Sequence, residues 1–331
     1  MFKSLNIQTG QDVVSLDPVW SQEGARENLR GLGRQDFLVC PGCKKPVRLR
    51  AGEEKLRRMH FAHKQLLDDC IYTDESPALR NARAVLYEWL VSKYGNSVTI
   101  EKRLDDEGLI RPVDCWVEKS SKIFAYWIFD SGMKTEKKEL LKNVFQKHGV
   151  KANWVFTGNM LKPDQDDHRH LSLSTTERDF MKRSIYDELS GDFPYDTKSS
   201  LHYLDADTRT LTTYRRLHCY HKPQVYAGDQ RTTSLDELRI SPGNGEFVHP
   251  GEHELLMKRR EEETAREAWI KEIESGRRKL KMNLFQETLP PPPDINAKVG
   301  TCIHCGKKTA DHWFYDNATG ECECNECKTK D

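Results

Sequence analysis

Cys40-Pro-Gly-Cys43 places two thiols at the spacing of a metal knuckle, His60-Phe-Ala-His63 repeats that spacing with two imidazoles, and Cys70 adds a third thiol. The thiolates of a Cys-x-x-Cys turn can reach one ion, and Zn²⁺ takes four tetrahedral nitrogen or sulfur ligands. The segment predicts a zinc site drawn from Cys40, Cys43, His60, His63 and Cys70. If Phe61 lies in a strand, His60 and His63 point to different faces, and the set becomes Cys40, Cys43, one histidine and Cys70. Lys44, Lys45, Arg48, Arg50, Arg57 and Arg58 are interspersed with these ligands. They could face phosphate or form a solvated surface hairpin.

A second ligand set lies near the end: Cys302 and Cys305, then Cys324 and Cys327, with Gly306 and Gly320 at the turns. This is zinc-ribbon spacing. Four thiolates leave no open coordination position, so its expected role is structural. Such sites stabilise small folds by an apparent ~10–16 kcal/mol. Cys322 is an additional thiol, and His304 and His312 are alternates. Zinc is thus the expected cofactor, at about two sites. Only Cys115 and Cys219 fall between the two sets, and His218, Cys219 and His221 form a weaker grouping without an obvious fourth ligand.

The remaining sequence must position these modules. The 331 residues are 37% hydrophobic and 31% charged, with 52 basic and 52 acidic side chains. Overall charge therefore gives no support for nucleic-acid binding, and any such role rests on local patches. No run approaches the ~18 apolar residues of a membrane span, and the opening residues lack the apolar run of a secretory signal. A cytoplasmic location without membrane partners is expected, where cysteines serve metals more often than disulfides. Ser76, Pro77 and Gly95 bracket a helix whose apolar stripe is Leu79, Ala82, Leu86, Leu90 and Val91. Three strand-forming runs follow ("SVTIEKRL", "RPVDCWVE", "KIFAYWIF"), then a helix ending at Gly149 and the strand "ANWVFTG". Helix, three strands, helix, strand predicts a mixed sheet flanked by helices.

That αβββαβ order is the core of restriction-endonuclease-like nucleases. Residues 36–158, through the Cys-x-x-Cys knuckle, "HFAH", Cys70, "ESP", "LYEWL", Glu101, Asp114, Ser131 and "NWVF", resemble the competence protein CoiA family. The resemblance implies a bacterial DNA-related protein with a zinc-finger-like front and a nuclease-like domain, associated with natural transformation. It also implies catalytic positions: an Asp near the second strand and a Glu on the third that bind Mg²⁺, with a Lys or Gln two residues further on. Asp114 matches the first, but Trp127 and Phe129 stand at the other two, and neither supplies the oxygen ligand that Mg²⁺ needs. Leu79 and Arg83 replace the family's His and Lys. Glu75, Glu101 and Asp114 remain as catalytic remnants. Asp130, turned by a bulge, or the Glu136-x-Lys138 pair could restore a displaced site.

Beyond residue 160, "STTERDFMKRSIYDELSG" reads as a helix capped near Ser174, and "DADT" as a hairpin turn between strands. Residues 252–287 read as a highly charged helix, and "LPPPPD", from Leu289, as a stiff spacer. The expected organisation is a zinc-knuckle module (1–74), a nuclease-like domain (75–160), a helix and β extension (161–250), the charged helix (251–288), a proline-rich linker (289–299) and the zinc ribbon (300–331). The expected function is that of a bacterial DNA-processing or phage-defence protein, catalytically silent alone, acting on nucleic acid and a partner protein. Arg277, Arg278, Lys279 and Lys281 add to the candidate contacts. An active Mg²⁺-dependent nuclease and a protein-interaction adaptor are the alternatives.

Overall fold

The computed structural model describes residues 1–50, 58–65, 70–72, 75–104, 108–109, 111–164, 170–182, 184, 200–219, 224–277, 300–309, 312–315 and 321–324. The chain is mixed α/β, dominated by one large sheet with few helices, and divides into two compact units. The first unit comprises Met1–Asp187 and Tyr195–Leu255, and the second comprises Glu188–Pro194 and Leu256–Asp331.

The first unit opens with β1 (Lys3–Asn6), β2 (Gln11–Val14), α1 (Glu23–Arg34), β3 (Leu38–Val39) and the hairpin β4 (Val47–Arg50) and β5 (His60–His63). β1 is flanked by β2 and β3. Leu29, Leu38, Val47, Leu49, Phe61 and Tyr72 form a small core around Cys40 and Cys70.

Then come α2 (Pro77–Tyr94), β6 (Val98–Lys102), β7 (Val113–Lys119), β8 (Lys122–Phe129), α3 (Thr135–Lys147) and β9 (Lys151–Thr157), in the order expected from sequence. Ser76 caps α2 by accepting the Leu79 N–H at 3.0 Å, Pro77 occupies the first turn, and Gly95 ends the helix at φ 56°. A left-handed terminus suits a residue without Cβ. Leu79, Ala82, Val85, Leu86, Trp89 and Leu90 pack on one sheet face with Cys115, Val117, Phe124, Tyr126 and Ile128. The other face carries Trp116, Ala125, Trp127 and Phe129 against Leu141, Val144 and Phe145 of α3. A strand buried on both faces reads as a continuous apolar run rather than an alternating one, which accounts for "KIFAYWIF".

The sheet does not end at β9. It adds β10 (Leu171–Ser172), β11 (Leu201–Asp205), β12 (Thr210–Cys219) and β13 (Val225–Ser234), giving eight strands in the order β10-β13-β12-β11-β9-β8-β7-β6. β8–β9 and β9–β11 are parallel. The β11–β12 turn falls at the expected "DADT", where Asp205 accepts the N–H groups of Asp207 and Thr208. α4 (Thr175–Asp179) has the full capping box of Ser174 and Glu177 but is shorter than the sequence predicts. Phe180 is drawn into the core against Phe129 and Trp154, and Lys182 bridges to Ser200 instead of continuing the helix. β14 (Arg239–Ile240) and β15 (Phe247–Val248) pair before α5 (Glu252–Arg277), the charged helix. Glu252 is held by Arg215 through two hydrogen bonds.

In the second unit, β16 (Gly300–Cys302), β17 (Lys308–Thr309), β18 (His312–Tyr315) and β19 (Glu321–Cys324) form a sheet in the order β17-β16-β19-β18. The expected proline linker lies outside the described residues, as do Arg278, Lys279 and Lys281.

Candidate metal centre and a closed carboxylate cluster

The Cys40–Cys43 turn is built by main-chain hydrogen bonds: Cys40 N–H donates to Lys45 O and Lys44 N–H to Cys40 O, both at 2.9 Å. Lys44 adopts φ 60° to close it. The β4–β5 hairpin brings His63 over this turn, and Cys70 arrives from beyond it. Cys40, Cys43, His63 and Cys70 offer ligand atoms that all lie within 4.8 Å of one another. Cys40 Sγ is 3.6 Å from Cys70 Sγ, and Cys43 Sγ is 3.2 Å from His63 Nε2. Tetrahedral zinc with bonds of about 2.0–2.3 Å needs ligand separations of this order, so the donor set fits one Zn²⁺. Burial raises the Cys40 thiol to about 12 and raises that of Cys70, while it lowers His63. Burial thus favours the neutral thiols of Cys40 and Cys70 and the neutral imidazole of His63, and a metal must displace those two thiol protons to bind.

His60 is not in the group. It faces away on β5, and its Nδ1 meets Arg58 O at 3.0 Å. The cluster thus has the composition of the strand reading, which leaves one histidine out. Of the other middle cysteines, Cys115 is buried in the sheet and Cys219 is exposed at the end of β12, next to His218, whose Nδ1 lies 3.3 Å from Arg216 O. His221 lies outside the described residues.

The second knuckle repeats the first. Cys302 N–H donates to Lys307 O, Gly306 N–H donates to Cys302 O, and Gly306 has φ 69°. Both turns thus place their left-handed residue one position after the second cysteine. Cys324 ends β19, and Cys327 lies outside the described residues.

Among the basic candidates, Lys44, Lys45, Arg48 and Arg50 are exposed. Arg58 is not available to phosphate as expected: it is half-buried and ion-paired with Glu88, which Arg209 also contacts. Arg57 lies outside the described residues.

The three remnant carboxylates do meet, but around a cation of the chain itself. Arg83, fully buried on α2, donates from Nη1 to Glu75 at 2.6 Å and to Glu101 at 2.7 Å, and from Nε to Asp114 at 2.7 Å. Asp114 also takes the Ile128 N–H at 2.7 Å and an Arg111 hydrogen bond. Glu101 takes the N–H groups of Phe2 and Lys3, and the Met1 amino group lies 3.4 Å from Glu75. Three anions are thereby matched by three cations: Arg83, Arg111 and the amino terminus. Burial pushes Glu75 up, but Arg83 and the amino terminus outweigh it and hold the carboxyl down at about 2. Burial likewise opposes the charge on Arg83, and the three carboxylates hold its pKa well above the usual value.

Glu101 falls between the Ile100–Cys115 and Lys102–Val113 pairs of the β6–β7 register and adopts φ 50°. A buried non-glycine residue there stores about 1–3 kcal/mol of strain, which persists only where its surroundings enforce it. Trp127 is buried against Phe145 and lies under the Arg111 guanidinium, and Phe129 stacks on Phe156. The two displaced alternatives do not join the cluster: Lys138 pairs with Asp179, and Asp130 lies by Ser131. Arg111 escaped the sequence reading; its position three residues before Asp114 was the available signal.

A small module with a Cys₃His cluster that could hold one zinc ion, packed on a mixed α/β sheet domain, is the class that these observations define. Residues 21–72 match the family model described as "Competence protein CoiA, N-terminal domain". The match supports the CoiA family and, with the Cys40, Cys43, His63 and Cys70 cluster, is consistent with a zinc-binding, competence-related protein. No curated protein and no solved structure matches the chain. No helix among the described residues is long and apolar enough to cross a membrane.

Proposed function

We propose that this is a DNA-processing or defence-associated bacterial protein in which a nuclease-type αβββαβ core has lost its Mg²⁺ site and works by binding nucleic acid and a partner protein. The observation that carries this reading is Arg83. A catalytic Mg²⁺ would need the oxygens of Glu75, Glu101 and Asp114, and the guanidinium engages all three carboxylates. Adding Mg²⁺ beside a buried, always-charged guanidinium would set like charges together where burial already penalises charge. At the family's remaining catalytic positions, Trp127 and Phe129 supply packing and no ligand.

The zinc module then serves as a rigid support for the exposed basic residues Lys44, Lys45, Arg48 and Arg50. The repeated knuckle turn at Cys302–Cys305 supports a second, structural zinc held with Cys324 and Cys327. The test is incubation of the purified protein with linear, circular and single-stranded DNA in Mg²⁺ or Mn²⁺, beside a binding titration on the same substrates. Binding without cleavage is expected; cleavage that Asp114→Ala abolishes would establish the active nuclease instead. An adaptor role has its own support in α5, where Trp269 and Ile270 are 39% and 40% exposed. Absence of nucleic-acid binding at low salt would favour that role.

A further inference from the structure

The far end of α2 carries a pocket that neither the zinc module nor the carboxylate cluster uses. Lys93, Tyr94, Lys119, Ser120, Lys122, Phe124, Arg239, Ile240 and Pro242 line a cavity of about 440 Å³, within the ~300–1,000 Å³ of small-ligand sites. Its four charged lining groups are all cations. Arg239 is shared with Glu254 at 3.0 Å, whereas Lys93, Lys119 and Lys122 have no carboxylate partner among the described residues. Glu118, the adjacent acid, lies toward Lys102, 3.8 Å away.

Two of these lysines are placed against local preference. Lys119 and Lys122 are a directly paired position of the β7–β8 hairpin, across the two-residue turn Ser120–Ser121. Like charges facing across a ladder are destabilising. The turn adds its own cost, because Ser120 and Ser121 have φ 47° and 65°, a geometry that glycine or asparagine adopts more readily. Lys119 Nζ stands 4.9 Å from the Tyr94 ring centroid, and Lys122 Nζ donates to Pro242 O at 3.1 Å. Both ammonium groups are thus directed to the rims of one cavity whose floor is apolar.

We infer that this pocket binds a nucleoside phosphate unit, with Lys119, Lys122 and Lys93 around the phosphate and the Tyr94, Ile240 and Pro242 surface against the sugar or base. An anion between Lys119 and Lys122 relieves their repulsion, and an aromatic and apolar floor suits the uncharged part of a nucleotide. The site rests on the nucleic-acid reading above only for the source of the phosphate, whether a strand or a free nucleotide.

The experiment compares wild type with the Lys119→Ala/Lys122→Ala double variant. The ligands are a fluorescein-labelled single-stranded oligonucleotide, over several salt concentrations, and ATP by equilibrium dialysis. Both substitutions are at exposed positions, and equal zinc content and circular dichroism check folding. For the oligonucleotide, a loss of at least tenfold is expected, with the salt slope falling by about 1.4, near 0.7 per lost phosphate contact. Loss of both ligands in the variant supports the pocket and the nucleic-acid reading together. If wild type binds ATP alone and the variant does not, the pocket stands and the nucleic-acid reading falls. Unchanged oligonucleotide and ATP binding by the variant overturns the pocket and leaves the nucleic-acid reading intact. Wild type that binds neither ligand overturns both.

Discussion

Glu101 accepts the main-chain N–H of Phe2 on both of its carboxylate oxygens, at 2.9 and 3.0 Å, while the same carboxylate takes Arg83. The first strand of the zinc module is therefore fastened to the sheet domain at the carboxylate cluster. Removing one partner of a buried ion pair typically costs about 3–5 kcal/mol, because the other charge is left uncompensated. Arg83→Ala is expected to lose at least that much, read as a lower urea midpoint. Arg83→Lys should also destabilise, since one ammonium cannot reproduce the planar fork that serves three carboxylates. An Arg83→Ala protein as stable as wild type would show that the cluster contributes nothing net.

Glu75 gives the acid limb a defined window. Its folded pKa of about 2 lies below the unfolded value of about 4.3. The native state therefore binds fewer protons between these values, and stability rises with pH there. The contribution is complete above pH ~4.3 and lost as pH falls toward 2; it is of the order of 3 kcal/mol from the size of the shift. The stability gap between wild type and Glu75→Gln should be largest above pH ~4.3 and shrink toward pH 2. Since both proteins keep the same zinc ligands, acid release of zinc affects them alike. A gap constant over this range would contradict the assignment.

His60 and His63 separate the two readings of the first zinc site. Elemental analysis of His63→Ala should show the loss of one zinc relative to wild type, and His60→Ala should retain the wild-type content. Cys302→Ser should remove the other zinc and leave the amino-terminal one in place. The wild-type ratio expected is about two per chain, and a ratio near one would remove the second site from the proposal.

Contact with nucleic acid through the β4–β5 hairpin should depend steeply on salt, because each phosphate contact releases condensed counterions. Changing Lys44, Lys45, Arg48 and Arg50 to Ala should lower the salt slope by about 0.9 per lost contact on duplex DNA. Affinity should fall similarly on unrelated sequences, since phosphate contacts do not read bases. An unchanged slope would clear the hairpin of this role.

Sequence order made much of the core legible. Ser76, Pro77 and Gly95 marked α2 because capping chemistry is local, and the knuckle cysteines marked the metal centre because their turn is local too. Choosing His63 over His60 needed the strand phase and the arrival of Cys70. The closed cluster was less legible: Glu75, Glu101 and Asp114 were named from resemblance, but their neutralisation depends on Arg83 and Arg111 meeting them in space. The continuation of the sheet beyond residue 160 was hidden for the same reason. It depends on β9–β11 pairing, which registers only Tyr203 with Phe156 and Leu204 with Thr157. Arg58 illustrates the opposite error: a basic residue in a basic run, claimed by Glu88 from a helix distant in sequence.

The span between Phe2 and Glu101 also orders events on the ribosome. The zinc ligands are complete once Cys70 has been made, but the docking seat requires Asp114, 44 positions later by subtraction of residue numbers. At ~5–20 residues per second, that interval is roughly 2–9 s of synthesis. Early in it the front has its own small core but no seat, and the buried pairing of Glu101 with Arg83 waits for Glu101, 31 positions after Cys70 by subtraction of residue numbers. The four candidate metal ligands are thus all synthesised before the last residue of the seat on which the front docks.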